Sequence, residues 1–267
     1  MRAMLARSAA QARYVLFGAY FLLCGFQLIV VGQAAEVQRT QSFGRVAELM
    51  PAFLQRGLGS RAMLLATFRG TVAFGYFHPV VVLVVALVAI YIVTEPAHEI
   101  ESGLVDLELA RAVPRHRLLT RSLILAETSI LGSVLLMAAG TLLGARIFDT
   151  TSMDLPSAAT RAGLLLNLAA TASCFAAFAL LVATLSRRWT TAFTTAALTA
   201  VVLYLLDFLA IGWPPVRHIA WISPFHYYPA LSIVAGEPGL GGDVAILAGA
   251  SVACVGAAYF IFARRDL

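Results

Sequence analysis

The sequence predicts an all-α integral membrane protein with six transmembrane helices. Hydrophobic residues fill 60% of the 267 positions and charged residues only 12%, about half the charged share of a soluble domain. Six apolar runs are each long enough to cross a hydrocarbon core of about 30 Å, at 1.5 Å of rise per residue. All 19 basic residues are arginine, and they gather beside those runs.

The runs are Tyr14–Val31, Phe77–Thr94, Ser122–Ala145, Ala162–Leu185, Ala192–Ile211 and Val244–Ala263. Unpaired backbone groups are too costly in lipid, so runs of this length are helices. The ten-residue alternation of a membrane barrel is missing. The first span follows Arg2, Arg7 and Arg13, as a signal peptide would. Its apolar stretch exceeds the usual h-region of about 7–15 residues, and Gln33-Ala34-Ala35 is a poor cleavage site, so an uncleaved anchor is expected. The chain reads as one transmembrane domain over 1–267.

With the N-terminus inside, eleven arginines fall on the cytoplasmic side and eight outside. The short Ser186-Arg187-Arg188-Trp189 connection and the Arg264-Arg265 tail fall on one side, so the positive-inside rule places both termini in the cytoplasm. Within the outer connection Gln33–Tyr76, Met50-Pro51-Ala52-Phe53-Leu54 predicts a short surface helix. The connection Gly212–Asp243 is rich in Pro, Gly and aromatics. Trp213, Trp221, Phe225, Tyr227 and Tyr228 there suit an interfacial belt.

Several chemistries are excluded. Without lysine the chain has no Walker A loop and no Schiff-base amine. His98-Glu99 begins an HExxH match, but Ser102 occupies the fifth place. No histidine is expected mid-span, which argues against haem ligation in the bilayer. Cys24, Cys174 and Cys254 are far apart inside apolar runs, which suits buried hydrophobes better than a disulfide or zinc site. No GxSxG occurs, and Gly132-Ser133 reads as helix packing. The net charge of +5 comes without a basic run interleaved with aromatics, so nucleic-acid binding is not expected.

Two acids approach membrane depth, where ionisable groups are functional suspects. Glu127 lies six residues past Arg121, about 9 Å inward. Asp207 lies about 6 Å from the outer end of the fifth span by the same rise. Each is either a hydrated interfacial group or part of a pathway. Gln27, Asn167 and Thr171 suit cross-links between helices.

The loop Glu95–Arg121 carries the strongest signal. Ile100, Leu104, Leu107 and Arg111 fall on one helical face. Acids crowd the first half and arginines the last, as a helix dipole favours. Pro96 suits a first turn and Pro114 marks a stop. A short amphipathic helix is predicted on the inner membrane surface.

Glu-x-Glu-x-Gly followed by Ala-Arg-x-Val-Pro-Arg-x-Arg-Leu-Leu resembles the coupling loop of type-2 ABC transporter permeases. Ser223-Pro224-Phe225-His226-Tyr227-Tyr228 is similar to that family's Ser-Pro-Phe-x-aromatic segment. Phe262-Ala263-Arg264-Arg265-Asp266-Leu267 resembles its usual ending, and His78-Pro79 its second-span opening. Ala112 departs from the pattern, where the family often has Pro. The resemblance implies an exporter subunit in a bacterial inner membrane, paired with a second permease, identical or related. Two copies of a separate ABC ATPase would dock on the coupling helices. The resemblance implies no cofactor in this chain, with ATP and Mg on the ATPase. It assigns Glu99, Glu101 and Gly103 to ATPase contact. Physically, exposed carboxylates would face a basic surface, and Gly103 would allow close backbone approach. It also implies a re-entrant hairpin after span five, with Glu127, Asp207, Phe225 and Tyr227 as pathway or gate residues. A stand-alone secondary transporter or channel and a membrane-embedded enzyme are the alternatives from other classes.

Overall fold

The computed structural model describes residues 2–44, 62–103, 116–150, 152–237 and 240–264. Its helices are α1 (Arg2–Arg39), α2 (Phe68–Phe77), α3 (Pro79–Val93), α4 (Glu95–Glu101), α5 (His116–Ile147), α6 (Ala158–Leu185), α7 (Trp189–Gly212), α8 (Ala230–Ala235) and α9 (Leu240–Arg264). A single turn at Ala62–Leu65 precedes α2, and single turns at Pro214–Arg217, Ala220–Ile222 and Pro224–Tyr227 link α7 to α8. Among the described residues there is no strand. Six helical stretches are long and apolar enough to span a membrane, and all six expected spans fall on them. The Met50–Leu54 segment lies outside the described residues.

The second span differs from its expected form. It starts at Phe68, nine residues before Phe77, and runs through α2, α3 and α4 to Glu101. The Thr67 hydroxyl accepts from the Gly70 N–H at 3.0 Å and caps the start. Arg69, within the expected outer connection, donates to the Thr160 hydroxyl at 3.2 Å. Proline has no N–H to continue the ladder, and the column breaks at His78, where ψ is 135°. His78 is therefore inside the second span rather than at its head. Its ring sits 5.0 Å from Phe26 and 5.1 Å from Phe74, centroid to centroid.

α3 and α6 form the centre of the bundle. Val81, Val85, Ala89 and Val93 of α3 are buried, as are Leu164, Leu168, Phe175 and Leu180 of α6. α7 and α9 lie at the edge, with Leu198, Val202, Val252 and Phe260 exposed, as lipid-facing helices require.

α1 and α5 run parallel and meet at small residues. A Cβ on Gly132 would strike the Tyr20 hydroxyl, one on Gly140 the Cys24 carbonyl oxygen, and one on Gly144 the Val31 side chain. Glycine there lets the two backbones approach closely.

The hydrogen bonds fix which termini share an end. Arg121 of α5 meets Glu99, the Trp189 N–H of α7 meets Glu101, and the Thr120 and Tyr259 hydroxyls are 2.7 Å apart. The starts of α1 and α5, the α6–α7 turn and the end of α9 thus lie together, at the Glu99 end. The connection after α7 lies opposite, at the Phe225 end.

Candidate functional site

α4 continues the second span, because Thr94 keeps right-handed helical angles. Pro96 sits in its first turn, where the missing N–H costs nothing. The helix ends at Glu101, and Gly103 follows with φ +70°. Left-handed glycine just past the last turn is a common helix terminator. The predicted helix extended to Pro114; residues 104–115, including Leu104, Leu107 and Arg111, lie outside the described residues.

Glu99, Glu101 and Gly103, expected at an ATPase contact, occupy different environments. Glu99 was expected on the surface and is buried instead. Its Oε2 accepts from Arg121 Nη2 at 2.6 Å, and that guanidinium is 3.7 Å from Glu95 Oε2. Glu95 and Glu99 are one turn apart, so both face the first turns of α5, where the Arg121 side chain is 0% exposed. A buried charge requires such a partner. Glu101, two residues on, points to solvent and accepts from the Trp189 N–H at 2.9 Å. It thereby places a carboxylate on the N-terminus of α7, where the helix dipole favours it. Gly103 is exposed, and nothing lies within 4 Å of where its Cβ would be. Within this chain its glycine serves the left-handed turn.

A cavity of about 330 Å³ opens beside this cluster. Tyr91, Glu95, His98 and Trp189 line one side and the N-terminal turns of α1 the other. Trp189 stacks on Phe193 at 5.4 Å and presents to Tyr91 at 5.9 Å.

At the Phe225 end the connection folds back into the bundle. The Ser223 hydroxyl donates to the Leu203 carbonyl at 2.9 Å and accepts from the Phe225 N–H at 3.2 Å. Leu203 lies nine residues before Gly212, about 13 Å of helix rise. The connection therefore folds back alongside the last turns of α7, the path expected of a re-entrant hairpin. Phe225 is buried 4.8 Å from the Phe175 ring and 5.3 Å from the Tyr204 ring. The buried Tyr228 donates its hydroxyl to the Tyr76 carbonyl at 3.3 Å. Asp207 Oδ1 lies 3.7 Å from His226 Nδ1. The Tyr227 hydroxyl donates to the Trp221 carbonyl at 3.0 Å.

Asp207, Phe225 and Tyr227 are thus brought together, whereas Glu127 stands apart. It is exposed on α5 and accepts from the Ser173 hydroxyl at 2.7 Å. The aromatic belt divides: Trp213 and Trp221 are exposed, but Phe225 and Tyr228 are buried. Gln27 cross-links as expected, donating to the Val72 carbonyl at 3.1 Å. Thr171 does not, since its hydroxyl bonds its own helix at Asn167. Asn167 is fully buried, and its amide finds no hydrogen-bond partner among the described residues. Arg121 and His226 had no assigned site role, and Tyr228 was expected only in the aromatic belt. Arg121 had a legible signal: two acids one turn apart, facing an arginine at the head of an apolar run.

Six apolar helices, a re-entrant segment and a polar cluster at the opposite end define a polytopic membrane protein built as one bundle. The chain belongs to the family described as multidrug efflux system permease Rv1217c, C-terminal domain, which matches residues 24–263. Among curated proteins and solved structures, none matches at a significant level.

Proposed function

We propose that the chain is the membrane-spanning subunit of an ATP-driven ABC exporter. It forms the translocation path with a second permease and is driven by two copies of a separate ATPase carrying ATP and Mg. The Glu99 end faces the cytoplasm of a bacterial inner membrane, and α4 with the loop after it receives the ATPase.

One observation carries this reading. α4 is continuous with the second span, ion-paired through Glu99 and Glu95 to the third, and hydrogen-bonded through Glu101 to the fifth. A push on this single helix is delivered to three spans at once, as a coupling element requires. The family's description as an efflux permease supports export, and the absence of lysine supports a separate energy source. In this arrangement Glu101 and Gly103 present the docking surface, while Glu99 transmits the movement. Phe225 with Asp207 and Tyr227 closes the far end of the path, and Glu127 lies on the surface available to a partner subunit.

Co-purification from the native host in mild detergent, followed by mass spectrometry, tests the reading. An ATPase with Walker A and signature motifs is expected to come with the chain, and ATP-driven efflux to require both. Efflux by the chain alone, driven by a proton or sodium gradient, would overturn it.

A further inference from the structure

We propose that the cavity at the Glu99 end is a binding site for a hydrophobic aromatic monocation. The cavity, about 330 Å³, falls within the size range of small-molecule sites. Ile92 and Leu125 supply apolar wall, Tyr91 and Trp189 supply aromatic surface, and Gln11 and Glu95 supply polar contacts. A carboxylate beside aromatic faces is the combination that recognises an organic cation, through charge and through the ring quadrupole.

The placement of the charges favours a cation. Glu95 and Glu99 share the Arg121 guanidinium, which sits 2.6 Å from Glu99 but 3.7 Å from Glu95. Arg121 is thus committed mainly to Glu99, which does not line the cavity. Glu95 does line it, with only 15% of its side chain exposed. The other arginine acting on Glu95 is Arg7, which is exposed on α1 and so screened by solvent. Glu95 Oε1 is buried with no hydrogen-bond partner among the described residues, so this carboxylate keeps an oxygen for a cation in an apolar, aromatic space, where their attraction is weakly screened. His98, 6.3 Å from the Trp189 ring, lies at the exposed mouth.

That the bound cation is cargo rests on the export reading; the binding itself does not. The test uses the purified full chain in phospholipid nanodiscs, with ethidium as the cation and phenanthridine as its uncharged ring system. Saturable ethidium binding above that of empty nanodiscs is expected, at least tenfold tighter than phenanthridine. Glu95→Gln and Trp189→Leu should each weaken ethidium binding at least tenfold, while Trp213→Ala, at the opposite end, should bind as wild type. Glu95→Gln should leave phenanthridine binding unchanged. If Glu95→Gln does not fold, Tyr91→Leu replaces it with the same expected tenfold loss. Absence of saturable binding, as when a lipid chain fills the cavity, overturns the site. So does wild-type ethidium binding by the charge and aromatic variants. Binding without a co-purifying ATPase would sink the export reading and leave the site intact.

Discussion

Arg121 and Glu99, 22 positions apart, form a 2.6 Å ion pair from which the guanidinium is wholly excluded from solvent. Read from the sequence alone, Glu99 is a surface residue whose substitution costs within about 0.5 kcal/mol. Removing one partner of a buried pair instead costs about 3–5 kcal/mol. Glu99→Ala and Arg121→Ala should each lower the unfolding temperature in detergent by several degrees. The double variant should cost less than the sum. Additive losses would show that the two charges do not support each other.

Glu101 gives the opposite expectation. Its carboxylate is exposed and holds one N–H of α7, a contact worth about 1 kcal/mol by analogy with helix caps. Glu101→Arg should insert at near-normal abundance and yet lose ATPase retention, since like charges across an interface cost several kcal/mol. Normal retention and efflux would remove Glu101 from the docking surface.

Gly103 separates backbone strain from contact. Its φ of +70° costs a β-branched residue about 1–2 kcal/mol, whereas Asn tolerates that conformation. Gly103→Val should impair ATPase retention, and Gly103→Asn should restore most of it if the turn alone matters. Equal loss in both would reinstate the expected close approach of a partner backbone.

Gly140 tests the α1–α5 seam. Its missing Cβ leaves room for the Cys24 carbonyl, whereas Gly249 on α9 faces open space. Gly140→Ala should destabilise by about 1–3 kcal/mol as overpacking, and Gly249→Ala should be near neutral. Thermal unfolding of the two single variants in the same detergent decides between them.

Reporter fusions after Arg188 and after Leu267 test orientation. Both should report cytoplasm, and opposite signals from the two would contradict two spans between Arg188 and the C-terminus.

The spans were legible because a bilayer imposes a length on apolar runs that a single sequence displays directly. His78-Pro79 was read as the opening of the second span, whereas the helix before it holds Arg69 in place of an unbroken apolar run. Its partner Thr160 is 91 positions away, and local hydropathy cannot register such a partner. The same blindness put Glu99 on the surface. Periodicity reports which residues share a face, not what covers that face. For Phe225 the motif showed a re-entrant segment, while its burial against Phe175 and Tyr204 depends on how α6 and α7 pack. Asp207 likewise read as a solitary acid because its partner His226 lies beyond the chain reversal.

The glycines between α1 and α5 also limit how the bundle can move. A helix sliding past its neighbour advances by whole turns, about 5.4 Å or four residues at a time. Sliding α5 one turn in one direction would bring Leu136 against the Cys24 carbonyl, in the place of Gly140. Sliding it one turn the other way would bring Leu136 against Tyr20, in the place of Gly132. One leucine thus acts as a detent in both directions. The two helices therefore move together, and any rearrangement of the bundle falls to its other seams.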